Sequence, residues 1–378
     1  MSIIIVDDNA TNQLIIKAIL NKAGYQDLKV VSSAQELYSL LDIDNPVLND
    51  SNVDLILMDM MMPEIDGLEA CKKILQVERY KDIPIIFVTA VGDSSKMVEA
   101  LDAGASDYVM KPINKMELLA RIRSALRLKK EIDWHKERDK RIKFKLELAK
   151  KVQRNVLSRP ISDENIEIKA VYKPTSELAG DFYEWHRIDS HRYGIILLDM
   201  MGHGIASSLV CMYISSVLRD TITRITDPEL VMQELNRYMQ QLYKKEELLN
   251  YYFTAIYLVV DTELRTVEYV NAGHPPGEVL IGDRAMQLTQ GCCAIGLFEN
   301  IEIRKGVIDF EEPVKIVMYT DGLPDALGEN NEAALKDLLG RLKHESGIDP
   351  EEAVLGAVER HSGGAHKDDL CVIMISTK

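Results

Sequence analysis

The chain has 378 residues, enough for two to three domains, and its 46% hydrophobic and 28% charged residues are ordinary for globular protein. A formal net charge of −15 argues against a general nucleic-acid partner, which needs clustered cations to neutralise phosphates. No apolar run approaches the ~18–20 residues of a membrane span, and no signal peptide precedes the first acids, so no membrane partner and a cytoplasmic location are expected.

From the N-terminus, five short apolar runs rich in β-branched residues follow one another: Ile3–Val6, Lys29–Val31, Asp54–Met58, Ile83–Val88 and Tyr108–Met110. Helical stretches separate them at Asn12–Ala23, Ala34–Leu41 and Leu68–Gln76. This alternation predicts an α/β doubly wound parallel-sheet domain over residues 1–125, covered on both faces. Ligands of such sheets bind at the carboxyl ends of the strands. The reactive side chains fall there: Asp7 and Asp8 after the first run, Asp59 after the third, Thr89 after the fourth and Lys111-Pro112 after the fifth. Three carboxylates on one edge repel one another unless a cation sits among them, and hard oxygen donors suit Mg2+. Lys111 and Thr89 offer a positive charge and a hydroxyl to an anion carried on Asp59, so a carboxylate there is equipped to attack phosphorus. Each residue alone has a plainer explanation, since an Asp after a strand is commonly a helix cap. Five in this order argue for a site.

The segments Val6-Asp7-Asp8, Asp54-Leu-Ile-Leu-Met-Asp59-Met-Met-Met-Pro63 with Asp66-Gly67, Thr89-Ala90 and Lys111-Pro112 resemble the receiver domain of response regulators. The resemblance implies a CheY-like, flavodoxin-like fold in which Asp59 accepts a phosphoryl group from a sensor histidine kinase. It further implies that Asp8, Asp59 and the Met61 backbone carbonyl bind Mg2+, with Asp7 supporting them from behind. Thr89 and Tyr108 would switch conformation and Lys111 would pair with the phosphoryl group. A cis peptide before Pro112 is expected on the same grounds.

Between Lys115 and Leu157 there is no Pro or Gly, and apolar residues recur at helical steps: Leu118, Ile122, Ala125 and Ile132, then Ile142, Leu146, Ala149 and Val156. One continuous helical linker of roughly 64 Å over 115–157 is predicted, overlapping the last helix of the first domain. Leu118, Ala125 and Ile132 share one heptad register, while Ile142, Ala149 and Val156 share another. The offset in a charged middle predicts a weakly packed coiled coil, and a parallel homodimer through this helix is expected.

Beyond Pro160 short strands dominate, at Ile166–Tyr172, Tyr193–Leu198, Tyr251–Val260, Thr266–Asn271, Val314–Tyr319 and Leu370–Ile375. Helices are expected at Gly204–Thr223, Pro228–Lys245 and Glu351–His361, making residues 160–378 an α+β domain of two packed sheets. Its acids again stand where strands meet loops: Asp181 after Gly180, Asp199 before Met200-Met201-Gly202-His203-Gly204, Asp321 before Gly322, and Asp368-Asp369 before the last strand. Glycine lets a backbone approach a ligand closely. Carboxylates without imidazole or thiolate partners favour Mg2+ or Mn2+ over zinc, and two such ions suit metal-assisted hydrolysis of a phosphate ester. The five cysteines form no CxxC pair, so reduced thiols are expected. The histidines fit no zinc spacing, and Asn271-Ala-Gly-His274 reads as a turn near the site or a substrate contact.

Glu177-Leu-Ala-Gly-Asp181-Phe-Tyr, Asp199-Met-Met-Gly-His-Gly204, Asn271-Ala-Gly-His-Pro275-Pro, Tyr319-Thr-Asp-Gly322 and Lys367-Asp-Asp-Leu resemble the SpoIIE/RsbU branch of the PP2C-type Ser/Thr phosphatases. The family often has Gly-Gly-Asp where Ala179-Gly180-Asp181 stands and a small residue at Met201; neither change removes a ligand. The resemblance implies that Asp199 bridges two Mn2+ or Mg2+ ions, that the Met200 backbone carbonyl adds a ligand, and that Asp181, Asp321 and Asp368 complete the sites. Gly202, His203, Asn271, His274 and Asp369 are candidates for shaping the loops or touching substrate. The function so implied is a phosphorylation-activated phosphoprotein phosphatase acting on an RsbV-like phosphorylated anti-anti-sigma factor, thereby releasing a stress sigma factor. A DNA-binding response regulator would need a basic recognition helix in place of these acids. A nucleotide cyclase would need a second acid after Gly180-Asp181-Phe182, and a non-catalytic adaptor would not need the acids at all.

Overall fold

Runs of β-branched residues too short to be core helices become strands wherever helices can cover them on both sides. The computed structural model describes residues 1–43, 53–90, 94–202, 204–243, 251–328, 331–345, 347–363 and 367–378, in two units, Met1–Ile142 and Lys143–Lys378. In the first unit the strands are β1 (Ser2–Val6), β2 (Asp27–Val31), β3 (Leu55–Asp59), β4 (Ile85–Thr89) and β5 (Asp107–Met110). All pair in parallel, in the order β2-β1-β3-β4-β5, and β1, β3 and β4 are buried along their whole length. The helices are α1 (Ala10–Lys22), α2 (Ala34–Leu41), α3 (Gly67–Gln76), α4 (Ser94–Asp102) and α5 (Lys115–Val156).

Alternate strand residues feed two cores. Ile4, Val6, Ile56, Met58 and Phe87 meet Leu37, Ala70 and Ile74 on one face. Ile3, Ile5, Leu57, Ile86 and Val88 meet Ile16, Leu20, Leu118 and Ile122 on the other. Side-chain caps on Asn9, Ser33 and Asp66 start α1, α2 and α3 immediately after strand-end loops. The carboxyl ends of β1, β3 and β4 are thereby left as one edge.

The second unit is a four-layer sandwich. Its strands are β6 (Ile161–Ser162), β7 (Ile166–Lys173), β8 (Asp181–Arg187), β9 (Arg192–Met200), β10 (Phe253–Asp261), β11 (Thr266–Ala272), β12 (Gly277–Ile281), β13 (Arg284–Leu288), β14 (Gly291–Cys292), β15 (Gly306–Asp309), β16 (Val314–Tyr319) and β17 (Leu370–Thr377). One sheet runs β14-β11-β10-β9-β8, with β15 beside β11; the other runs β13-β12-β16-β17-β7-β6. A core of Tyr183, Leu197, Ile256 and Leu258 against Ile316, Met318, Ile373 and Ile375 fills the space between them. Outside, α6 (Ile205–Arg224) and α7 (Pro228–Tyr243) cover the first sheet. On the far side α8 (Gly322–Leu327), α9 (Glu332–His344) and α10 (Pro350–Ser362) cover the second.

Two findings correct the sequence reading. Helix α6 is long and apolar enough to cross a membrane by length and composition, although no such run was expected. Its Cys211, Ile214, Leu218 and Ile222 are buried against the sheet, so its apolarity serves the core. The helices α4, α8 and α9 and the strands β6, β8, β12, β13, β14 and β15 were not anticipated as elements. All five cysteines are free.

Candidate phosphoacceptor and metal centres

The N-terminal site is built on the strand edge left open by the caps. Ligand oxygens of Asp7, Asp8 and Asp59 all lie within 4.8 Å of one another. Lys111, reaching across from the end of β5, places Nζ 2.7 Å from Asp59 Oδ2 and 3.0 Å from Asp7 Oδ2. Burial raises the Asp59 carboxyl above its ordinary value, against the lowering pull of Lys111. Burial alone would lower the Lys111 ammonium, but its bonds to Asp59 and Asp7 outweigh that and raise it. The acids thus share one cation and retain oxygen donors in excess, a set that fits a hard divalent ion.

The other expected residues stand around this edge. The Met61 amide donates to Asp59 Oδ1 at 3.3 Å while its side chain is exposed, so Met61 does not pack as its buried neighbours Met60 and Met62 do. Thr89 is buried at the end of β4, and its carbonyl accepts from the Lys111 amide at 2.7 Å. Tyr108 is half-buried under the Arg121 guanidinium, whose ion pairs run to Asp107 and Glu117. The Lys111-Pro112 peptide is cis. Sequence reasoning missed the groups that hold Asp7: Asn9 N and Asn12 Nδ2 donate to its Oδ1, and Gln13 Nε2 to its carbonyl.

The C-terminal site lies at the open end of the inter-sheet core. Asp181 on β8 stands opposite Asp199 on β9, which in turn stands opposite Thr254 on β10. Residues directly opposed across antiparallel strands share a face, so the three form one row. Two residues inward along the same face are Tyr183, Leu197 and Ile256, all within the core. The second sheet supplies Asp321 at the start of α8, after β16, and Asp368 just before β17. Thr320, wholly buried, ties the two sheets: its hydroxyl donates to Asp181 Oδ2 at 2.7 Å and accepts from the Cys371 amide at 3.0 Å.

These acids are held in each other's fields. Burial, then Asp199, pushes Asp181 well above the usual carboxylate range. Burial, then Asp321 and Asp368, pushes Asp199 up to about 7. Asp321 is raised by burial, then by Asp368 and Asp325. Among the described residues no lysine or arginine forms an ion pair with Asp181, Asp199, Asp321 or Asp368. Burying like charges without a counter-cation is costly, so the all-oxygen donor set fits divalent ions here as well. The only three-acid group within 4.8 Å among the described residues is the N-terminal one, so the C-terminal acids form a row rather than a single knot.

The remaining expected residues divide. Met200 is buried with its carbonyl beside Gly180, where a Cβ would stand 3.2 Å from that oxygen and 2.9 Å from the Gly202 carbonyl. Gly202 has φ +78°, a conformation that favours glycine. His203 lies outside the described residues. Asp369 is buried and spent on backbone, accepting from Thr175 N at 2.8 Å and Gly180 N at 2.7 Å. Asn271 and His274 close their own loop: the His274 amide donates to Asn271 Oδ1, and Asn271 Nδ2 donates to the carbonyls of His274 and Leu288. The His274 ring is buried and shares a 2.8 Å hydrogen bond with Thr254 Oγ1, at the end of the acid row. Burial pulls its pKa down to about 3, so it is neutral.

A doubly wound sheet with an acid–lysine edge, followed by a two-sheet sandwich with acids at its rim, defines a receiver domain joined to a PP2C-type domain. Residues 3–123 match the response regulator receiver domain, and residues 189–378 match Stage II sporulation protein E (SpoIIE). The chain belongs to the SpoIIE family. It is 37% identical over 238 residues to the phosphoserine phosphatase RsbP of Bacillus subtilis (strain 168), a match covering 62% of this chain and 58% of that protein. It is 32% identical over 126 residues to the chemotaxis protein CheY1 of Helicobacter pylori, covering 33% of this chain and 97% of that protein. The fold of the second unit matches the SiaA-PP2C domain of Pseudomonas aeruginosa with a TM-score of 0.54 at 21% identity, covering 62% of this chain and 97% of that domain.

Proposed function

We propose that the chain is a metal-dependent protein serine/threonine phosphatase whose activity is controlled by phosphorylation of its receiver. The observation that carries the reading is the acid row: Asp181 stands in register with Asp199, and Asp321 and Asp368, beside the ends of β16 and β17, raise the Asp199 carboxyl. Two divalent ions held there, Mn2+ or Mg2+, would neutralise the phosphate and lower the pKa of an attacking water. Asp199, with acids on both sides, would serve both ions, and the Met200 carbonyl would add a donor. Asp321 and Asp368 complete one site and Asp181 the other. Thr320 holds the Asp181 carboxylate in place, and the core behind the row keeps water to one side.

At the other end, Asp59 is the phosphoacceptor. A carboxylate oxygen of Asp59 forms the new O–P bond as the phosphoryl group leaves a nitrogen of a sensor kinase histidine. Asp8, Asp59 and the Met61 carbonyl would hold Mg2+, with Asp7 behind, and that ion would offset charge on the transferring group. Lys111, already at 2.7 Å, pairs with the product, while Thr89 and Tyr108 change conformation. Similarity to a phosphoserine phosphatase favours a phosphoserine substrate; an anti-anti-sigma protein in a cytoplasmic partner-switching pathway is the finer part of the proposal. A homodimer through α5 is part of this reading. A DNA-binding output or a dead adaptor would leave four clustered acids without purpose.

The test is turnover of p-nitrophenyl phosphate and of phosphoserine peptide with Mn2+. Chelation, Asp199→Asn and Asp321→Asn should each reduce the rate by on the order of 100-fold or more. Turnover that survives chelation would refute the reading. Treatment with a small phosphodonor should change the rate of wild type and not of Asp59→Asn; an equal response in both would refute receiver control.

A further inference from the structure

Along the second half of α5 most side chains face solvent, including Lys151, Val152, Arg154 and Asn155, but Gln153 is 3% exposed. Its carboxamide takes both backbone groups of one residue: Nε2 donates to the Ala179 carbonyl at 2.8 Å, and Oε1 accepts from the Ala179 amide at 3.1 Å. Ala179 is itself wholly buried and stands two residues before Asp181.

The location follows from the sheet. Strand β8 is at the edge of its sheet, so every second residue turns an unpaired N–H and C=O outward, and buried groups of this kind need partners. Among the described residues side chains supply several of them. Gln153 serves Ala179, the Tyr172 hydroxyl donates to the Asp181 carbonyl at 3.2 Å, and Ser158 Oγ both accepts from the Trp185 amide and donates to the Trp185 carbonyl. Trp185 Nε1 adds a bond to the Arg159 carbonyl at 2.9 Å. Gln153, Ser158 and Arg159 therefore line the end of α5 and its exit along the strand that carries Asp181. From the other side, Asp369 holds the Gly180 amide. The segment Ala179-Gly180 is clasped between the linker helix and the approach to β17, and a Cβ on Gly180 would crowd the carbonyl oxygens of Gly202 and Met200.

We propose that Gln153 is a positioning residue: its two hydrogen bonds to Ala179 set the Gly180-Asp181 segment for cation uptake, so that the end of α5 bears on the acid row through the edge of β8. This rests on the metal-dependent reading above. The contact falls two residues before Asp181, on the segment that leads into β8. Packing alone does not require an amide here, because Val156 and Leu157 already anchor the helix end to the core under α6 and α7.

The experiment compares full-length wild type, Gln153→Met and Gln153→Glu. Methionine keeps the length and apolar stem while removing both hydrogen bonds; glutamate keeps the acceptor for the Ala179 amide and loses the donor. Titration calorimetry with Mn2+ alone should show affinity weakened ~10–100-fold in Gln153→Met, the range for residues that orient metal ligands, and by less in Gln153→Glu. The Mn2+ concentration for half-maximal turnover should rise in parallel while kcat at saturating Mn2+ stays within about twofold, on the same orienting argument. A purely structural role would lower the melting temperature and leave the Mn2+ midpoint in place, and wild-type Mn2+ affinity in Gln153→Met overturns the proposal. Should Gln153→Met fail to fold, unchanged Mn2+ affinity in Gln153→Glu overturns it equally. Wild type that takes up Mn2+ without hydrolysing phosphoester would refute the phosphatase reading alone, since the calorimetric comparison would still stand.

Discussion

Carbonyl oxygens decide two of the glycines in this chain. A Cβ on Gly67 would lie 2.2 Å from the Asp59 carbonyl oxygen, and one on Gly322 would lie 2.0 Å from that of Asp369. Both glycines start helices beside acids, so the close approach sets where those acids stand. Gly322→Ala should therefore displace the loop bearing Asp368 and Asp369. A loss of about 1–3 kcal/mol in denaturant unfolding is expected, with metal-dependent turnover falling as well. His274 gives a pH prediction at the same scale. Its folded pKa is near 3 because burial penalises the charged ring, against an ordinary value of 6.5. The unfolded chain then binds the extra proton between these values, so the contribution is intact above about pH 6.5 and is lost progressively as pH falls towards 3. Urea midpoints between pH 7 and 4.5 should fall less steeply for His274→Gln than for wild type; equal slopes would show that the ring charges freely in the fold.

At the scale of elements, α5 resolves the two heptad registers differently from expectation. Leu118, Ile122 and Ala125 are buried in the core under the N-terminal sheet, whereas Val156 packs in the core beneath α6 and α7. The offset between the registers thus reflects two separate cores served by one helix, not only a fault in a coiled coil. Between them Phe144, Leu148 and Val152 are 72%, 58% and 54% exposed and recur every fourth residue, an apolar stripe on which the proposed homodimer would rest. Phe144→Glu with Leu148→Glu should shift the chain from dimer to monomer in light scattering at micromolar concentration, with both folded units retained by circular dichroism. Dimers that persist unchanged would remove the helix from the interface.

At the scale of the whole molecule, the two proposed cation sites differ in build. The N-terminal acids are already neutralised in part by Lys111, while the C-terminal acids, of which only Asp181 is fully buried, have one another but no ion-paired cation among the described residues. Divalent cation should therefore stabilise the second unit more. Ligand that binds only the folded state at about 100 times its Kd adds ~2.7 kcal/mol. Scanning calorimetry should show the transition of the second unit moving up with Mn2+ in wild type and staying in place in Asp199→Asn. A shift of equal size in both would mean that the ion binds elsewhere.

The sequence by itself determined the parallel sheet of the first unit, the two-sheet class of the second, the unbroken linker helix and most of the acids, because each reads out locally. Strand periodicity, a carboxylate at the strand end and a helix without Pro or Gly are properties of neighbouring residues. What lies far apart in the chain was decided only by tertiary structure. The register that aligns Asp181 with Asp199 comes from strand pairing, and the Thr320 hydroxyl reaching Asp181 comes from the two sheets facing each other. Asp369 and His274, candidates for substrate contact by their motifs, are turned inward to satisfy buried backbone and a threonine hydroxyl. Gln153 carries no signal at all in a charged helix; only the edge position of β8 gives its amide something to hold. Local chemistry places a group at the end of an element, and the packing of elements decides what that group meets.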